Sequence, residues 1–112
     1  MATPIIECVA NCSEGRNSET ILALAQAINT VKDAILLDQH RDVDHHRCVL
    51  TFAGSPECVA QAALELVITS TRLIDLRQHT GQHPRIGATD VLPFIPLDGA
   101  TMSQCVDRKS VV

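Results

Sequence analysis

The chain has 112 residues, 46% of them hydrophobic, with two phenylalanines, no tryptophan or tyrosine, and a formal net charge of -4. That length fits one domain with an aliphatic core, and acidic balance without aromatics excludes the basic stripe and stacking platform of a nucleic-acid binder. No apolar run approaches the roughly 20 residues of a membrane span, and the first residues lack a charged segment followed by an apolar one, so a soluble, cytoplasmic protein without a membrane partner is expected.

Residues 5–9 are apolar except for Glu7 and predict a first strand, followed by a loop over 10–17. Asn17 or Ser18 caps a helix in which Ile21, Leu24, Ala25 and Ile28 recur at helical spacing. Residues 34–38 predict a compact buried strand, and a polar, histidine-rich connection over 39–46 leads to a third strand over 47–53, rich in β-branched and aromatic residues. Ser55 as cap, Pro56 at the first helical position and Glu57 near the positive end of the dipole start a second helix. Its buried stripe is Val59, Ala63, Leu66, Val67, Ser70 and Ile74. A last strand over 90–97 contains Pro93 and Pro96, which lack a ladder donor and confine it to an edge or an irregularity.

The order strand, helix, strand, strand, helix, strand is the split β-α-β-β-α-β pattern of an α+β sandwich. Its helices pack on one face of a mixed or antiparallel sheet. Residues 101–106 look like the opening of another helix. Residues 107–112 match the translation of a common sequencing adapter, so a domain over 1–106 with a non-native tail is expected, the natural reading frame continuing further.

Five cysteines, Cys8, Cys12, Cys48, Cys58 and Cys105, form an odd set with no Cys-x-x-Cys pair, which favours small buried hydrophobes in a reducing compartment. The densest chemistry lies in residues 79–90, which hold His79, His83, Arg85, Asp90, Pro84 and two glycines just before the last strand. Imidazole exchanges a proton near neutral pH, guanidinium forks onto a carboxylate, and glycine lets backbone approach a ligand. His79 and His83 have the spacing of two metal ligands on a helix, but Gly81 and Pro84 argue against a helix there, so no metal is expected. The plainer reading of a loop histidine is a solvated or hydrogen-bonding residue. Asp42, Asp44, His45 and His46 read as a solvated polar loop, and Asp38 and Asp90 as partners of Arg47 or Arg85 or as substrate contacts. Asn11, Ser13 and Glu14 serve either as turn and cap residues or as the lining of a cleft.

Several separated blocks resemble the N-terminal subdomain of the glutamate formimidoyltransferase family. They are residues 7–15 (ECVANCSEG), 36–38 (LLD), 47–54, 73–75 (LID), and 81–91 (GQHPRIGATDV) running into Pro93-Phe94-Ile95-Pro96. The resemblance implies transfer of a formimino group from N-formimino-L-glutamate to N5 of tetrahydrofolate, a co-substrate, in histidine degradation. It makes His83 the catalytic base, and it gives Asn11, Ser13, Glu14, His45, Arg47, His79 and Arg85 contacts with substrate or folate. An imidazole with an ordinary pKa of about 6.5 is suited to taking the proton that the attacking nitrogen sheds. His46 departs from the pattern, standing where the family has an asparagine. The resemblance also implies a second, related subdomain with folate held between the two, and a homodimeric parent, so that this chain alone is expected to be inactive. A noncatalytic folate-binding or assembly module with the same fold is the alternative, and a metal-dependent hydrolase using the histidines is a third.

Overall fold

Ile6, Cys8, Ala10 and Cys12 are buried while Glu7, Val9 and Asn11 between them are half-buried, so strand β1 (Ile6–Cys12) turns one face to the core and the other outward. The computed structural model describes residues 4–14, 16–74 and 89–97. After β1 come helix α1 (Ser18–Asn29), strands β2 (Ala34–Asp42) and β3 (Arg47–Gly54), helix α2 (Pro56–Leu73), and the short strands β4 (Thr89–Val91) and β5 (Phe94–Pro96).

Every strand pair is antiparallel, in the spatial order β2-β3-β1-β4, with β5 also paired to β1. This is the α+β split pattern read from the sequence. β1 lies against β3 from Ile6 opposite Gly54 to Cys12 opposite Cys48. Its other side is shared: β5 covers Ile6 to Cys8, β4 covers Asn11 and Cys12, and between them the Val9 N–H donates to the Pro93 carbonyl at 3.2 Å. Pro93 thus sits between β4 and β5, where the chain breaks its ladder, and Pro96 is the last residue of β5, both beside β1, as their missing donors require.

Both helices pack on the same sheet face. Ile21, Leu24 and Ile28 of α1 and Val59, Ala62, Ala63 and Leu66 of α2 join Ile6, Cys8, Leu50, Phe52 and Phe94 in one buried cluster. The caps are those the sequence implies: the Asn17 side chain accepts from the N–H groups of Glu19 and Thr20, and Ser55 accepts from Cys58. No helix among the described residues is long and apolar enough to cross a membrane.

Three sequence expectations need correction. β1 runs three residues further than 5–9, because Ala10 and Cys12 continue its buried alternation, so Asn11 lies in a strand rather than a loop. β2 reaches Asp42 and is not buried: it is the sheet's edge, only Ala34 of it is buried, and Ile35 and Leu37 are 62% and 56% exposed. On α2, Val67 is only half-buried and Ile74 lies one residue past the helix, while Ala60 and Ala62 join the buried side.

Gly54 ends β3 where the chain passes close to its neighbour: a Cβ there would collide with the carbonyl oxygen of Asp33, which itself holds a left-handed φ of 71°. Backbone cannot swing aside as a flexible side chain can. Gly54→Ala should destabilise the fold by about 1–3 kcal/mol, the usual cost of overpacking, and lower the thermal midpoint by more than Asn17→Ala, whose lost cap costs about 1 kcal/mol. Circular-dichroism melts of the two variants check the order.

Candidate functional site

Four segments meet at one end of the sheet. β1 ends at Cys12, the 13–17 loop follows it, the β2–β3 turn occupies 43–46, and the chain re-enters the sheet at Thr89 beside Cys12. On the open sheet face near this end, Asn11 lies opposite Val49, His40 lies on the far side of Val49, and Arg47 lies opposite Asp42. Residues two apart on neighbouring strands are within reach of long side chains, so Asn11 and Arg47 share one polar corner. Toward the other end the face is mixed: Ile35, Ala53 and Ile95 share a row with Glu7, and Val9 lies opposite Thr51.

Glu14 organises the loop. Its Oε1 accepts from the backbone N–H of Arg16 at 2.9 Å and of Asn17 at 2.7 Å, although the residue is only 7% exposed. Two donors on one carboxylate oxygen are charge-assisted bonds of the strong kind. The loop is then tied to β2 and the turn. Arg16 Nε donates to the Val43 carbonyl at 3.0 Å, and Arg41 donates from Nη1 to Ser18 Oγ at 2.7 Å and from Nη2 to the Arg16 carbonyl at 3.4 Å.

The turn has its own brace. Asp42 accepts from the backbone N–H of His45 at 3.1 Å and pairs through its other oxygen with His45 Nδ1 at 2.6 Å. The His45 backbone N–H, ahead of its side chain, holds the Asp42 carboxyl below the usual carboxylate range. What this pairing contributes is therefore present above that range and fades as the pH falls through the lowered value. His46 follows with a left-handed φ of 54°, and its Nδ1 lies 3.6 Å from Glu14 Oε1, both side chains being buried. Asn and His are among the residues that tolerate such a backbone, which accounts for a histidine where the resemblance expects asparagine.

Beneath the site runs a chain of hydroxyls and thiols. Ser70 of α2, fully buried, donates to the Val67 carbonyl at 3.0 Å, which uses its one proton, so Thr89 donates to Ser70 across 2.7 Å. The Cys12 thiol then donates to Thr89 at 3.9 Å, and the Cys48 thiol to Cys12. Consistently, the hydrogen bond to Cys12, followed by burial, pushes the Cys48 thiol up, and burial pushes Cys8 up. These are protonated, unreactive cysteines. Among the described residues no group of three His, Cys, Asp or Glu side chains is placed to hold a metal ion.

Of the residues singled out in the sequence, Asn11, Ser13, Glu14, His45 and Arg47 fall at this end of the sheet. Ser13 is fully buried and Glu14 spends one oxygen on its own loop, while Asn11 and Arg47 are half-buried on the open face. Asp38, opposite Thr51, lies four residues from Arg47's partner Asp42. His79, His83 and Arg85 lie outside the described residues, as does the tail over 107–112, and nothing is described of the Asp90 side chain. Chain connectivity nonetheless leaves Arg85 four residues and His83 six residues before Thr89. Sequence reasoning missed Arg16, Arg41, Thr89 and the pairing of His46 with Glu14. Only the left-handed tolerance of the histidine gave any signal of them.

Fold and site together define a two-layer α+β subdomain whose polar loops converge on one end of a sheet face that no described residue covers. A family model for the formiminotransferase domain, N-terminal subdomain, matches residues 5–110, and the chain belongs to this family. It is 49% identical over 102 residues to formimidoyltransferase-cyclodeaminase of Rattus norvegicus, a match covering 91% of this chain and 19% of that protein. It is 40% identical to glutamate formimidoyltransferase of Streptococcus pyogenes serotype M1, over 92% of the chain and 34% of that protein. The corresponding protein of Thermoplasma acidophilum is 38% identical over 91% of the chain. The chain thus spans about a fifth to a third of the length of these relatives.

Thr89 joins α2, β1 and the segment that carries the histidines. Thr89→Val should cost about 1–3 kcal/mol, because the buried Ser70 and Cys12 each lose a polar partner, whereas Thr89→Ser should stay close to the original. Urea unfolding of the three proteins measures the difference.

Proposed function

We propose that the chain forms the N-terminal half of a formimidoyltransferase site, in which N-formimino-L-glutamate gives its formimino group to N5 of tetrahydrofolate. The observation that carries this reading is the convergence at Thr89 and Cys12: the block Gly81-Gln82-His83-Pro84-Arg85 leads into the sheet beside Asn11, Ser13, Glu14 and the 43–47 turn. Membership of the formiminotransferase family and the names of the relatives support it. So do the free thiols of Cys8, Cys12, Cys48 and Cys58, which suit the reducing cytoplasm we assign to it.

In this reading the folate N5 attacks the formimino carbon while His83 takes the N5 proton. The new N5–carbon bond forms, the bond from that carbon to the glutamate nitrogen breaks, and the proton returns to the leaving amine. Arg85 and Arg47 are guanidinium forks for glutamate or folate carboxylates, and Asn11 and His45 border the same corner, with His79 at the head of the loop. A second subdomain covers the open sheet face and closes the folate cleft, and the whole protein assembles as a homodimer.

The test replaces the matching segment of the Rattus norvegicus relative with residues 1–106 of this chain and assays transfer. His83→Ala in that chimera should lower kcat by about 10²–10⁴, the usual contribution of a positioned base, with a much smaller change in tetrahydrofolate affinity. Unchanged turnover would remove the base from the reaction, and a chimera that binds folate without any transfer would favour the noncatalytic module. The purified 112-residue chain alone should give no measurable transfer, checked by following formimino-tetrahydrofolate spectrophotometrically.

A further inference from the structure

The pairing of His46 with Glu14 lies between two buried side chains and joins two segments of the site. Glu14 Oε1 holds the Arg16 and Asn17 N–H groups, and these give the 13–17 loop its shape. His46 approaches the same oxygen from the 43–46 turn at 3.6 Å, a separation longer than a hydrogen bond but within ion-pair range. A neutral imidazole gains little at that distance, whereas an imidazolium gains the full attraction of a carboxylate shielded from water. From this geometry we infer that His46 is a positioning residue: protonated, it locks the Glu14 loop against the β2–β3 turn, and on losing its proton it lets the loop slacken.

Glu14 is the carboxylate that the geometry sets against the ring. The 13–17 loop brings Arg16 beside Glu14, the end of β2 brings Arg41 and Asp42, and the turn itself brings Asp44 and His45. The start of β3 brings Arg47 and Cys48, and the end of β1 brings Cys12. Asp42 is already engaged by His45, Arg16 and Arg41 donate to the Val43 carbonyl, the Ser18 hydroxyl and the Arg16 carbonyl, and the Cys48 thiol is kept protonated. The sign follows from the partner. A carboxylate favours the charged ring in the folded chain, so the lock is present while the ring is protonated and Glu14 ionised, and is lost as the pH rises through the ring's titration. A loop that carries Ser13 and Glu14 at the edge of the cleft is then pH-sensitive where an asparagine at this position would leave it indifferent. The role in transfer rests on the functional reading above, but the lock itself does not.

The experiment uses the purified chain. Amide-exchange protection factors of Arg16 and Asn17 are measured by NMR between pH 5 and pH 8, beside the titration of the His46 ring. In the unsubstituted chain the two amides should lose protection by about three- to tenfold as the ring deprotonates, the scale of one shielded charged contact. His46→Asn keeps the left-handed turn and so remains folded; its protection factors for Arg16 and Asn17 should not change with pH. In Glu14→Gln the His46 ring should release its proton at lower pH than in the unsubstituted chain. The inference is overturned if the two amides follow the same pH course in His46→Asn, or if the ring titrates alike with and without the Glu14 charge. The chimera bearing His83→Ala tests the transfer reading separately: retained turnover there would end that reading while leaving the amide result intact.

Discussion

The fold depends on β1 being paired along both edges. A strand with neighbours on each side must find partners for its outward N–H and carbonyl groups, since buried backbone groups are rarely left unpaired. β3 meets this need along one side in unbroken register from Ile6 to Cys12. The other side is met by two short strands and, between them, by the carbonyl of Pro93. Because side chains alternate strictly along a strand, this pairing forces Cys12 under the helices and Asn11 onto the open face. It also fixes where three connections emerge: the 13–17 loop, the β2–β3 turn and the segment before Thr89.

Small side chains then decide how closely α2 settles on the sheet. Cys8, Ala10, Cys12 and Cys48 face Ala62 and Ala63 in a core whose largest fully buried side chain is Phe52. Atoms that small leave room for the hydroxyl of Ser70 to meet Thr89 and for two thiols to continue the line of donors. An interior hydroxyl without a partner is costly, so each link in that line holds the next in place. The first residue of β4 is thereby fixed from α2 on one side and β1 on the other, immediately after the residues that carry the candidate base.

Much of this was legible in the sequence because it rests on local rules. Asn17 and Ser55 announce their helices by cap chemistry, Pro56 by its missing donor, and Pro93 and Pro96 place the last strand at an edge. The exposure of Ile35 and Leu37 was not legible. Their apolar run reads as an interior strand, and only the order of strands shows β2 to be an edge whose outward side chains nothing described covers. The extent of β1 was missed for a related reason: Asn11 is a turn former by propensity, and the partner strands override it. In the site, residue types were legible but not pairings. Glu14 could be singled out as polar and placed, whereas its approach to His46 joins residues 32 positions apart and depends on how a turn and a loop happen to meet.

The open sheet face binds these parts into one problem. Away from the site, Val9, Ala53, Ile35 and Ile95 gain free energy when another apolar surface covers them, provided that Glu7 among them keeps water or finds a partner. Its polar end, with Asn11, His40 and Arg47, loses free energy when covered unless each group finds a partner. Both groups belong to the same few strands, two to six residues apart. Whatever surface buries the first therefore also walls in the second, and the polar corner becomes a cleft rather than a dry interface only if a polar ligand fills it. In the proposed reading a small substrate carrying carboxylates and amines satisfies that demand, so that covering the sheet and building the site are one event.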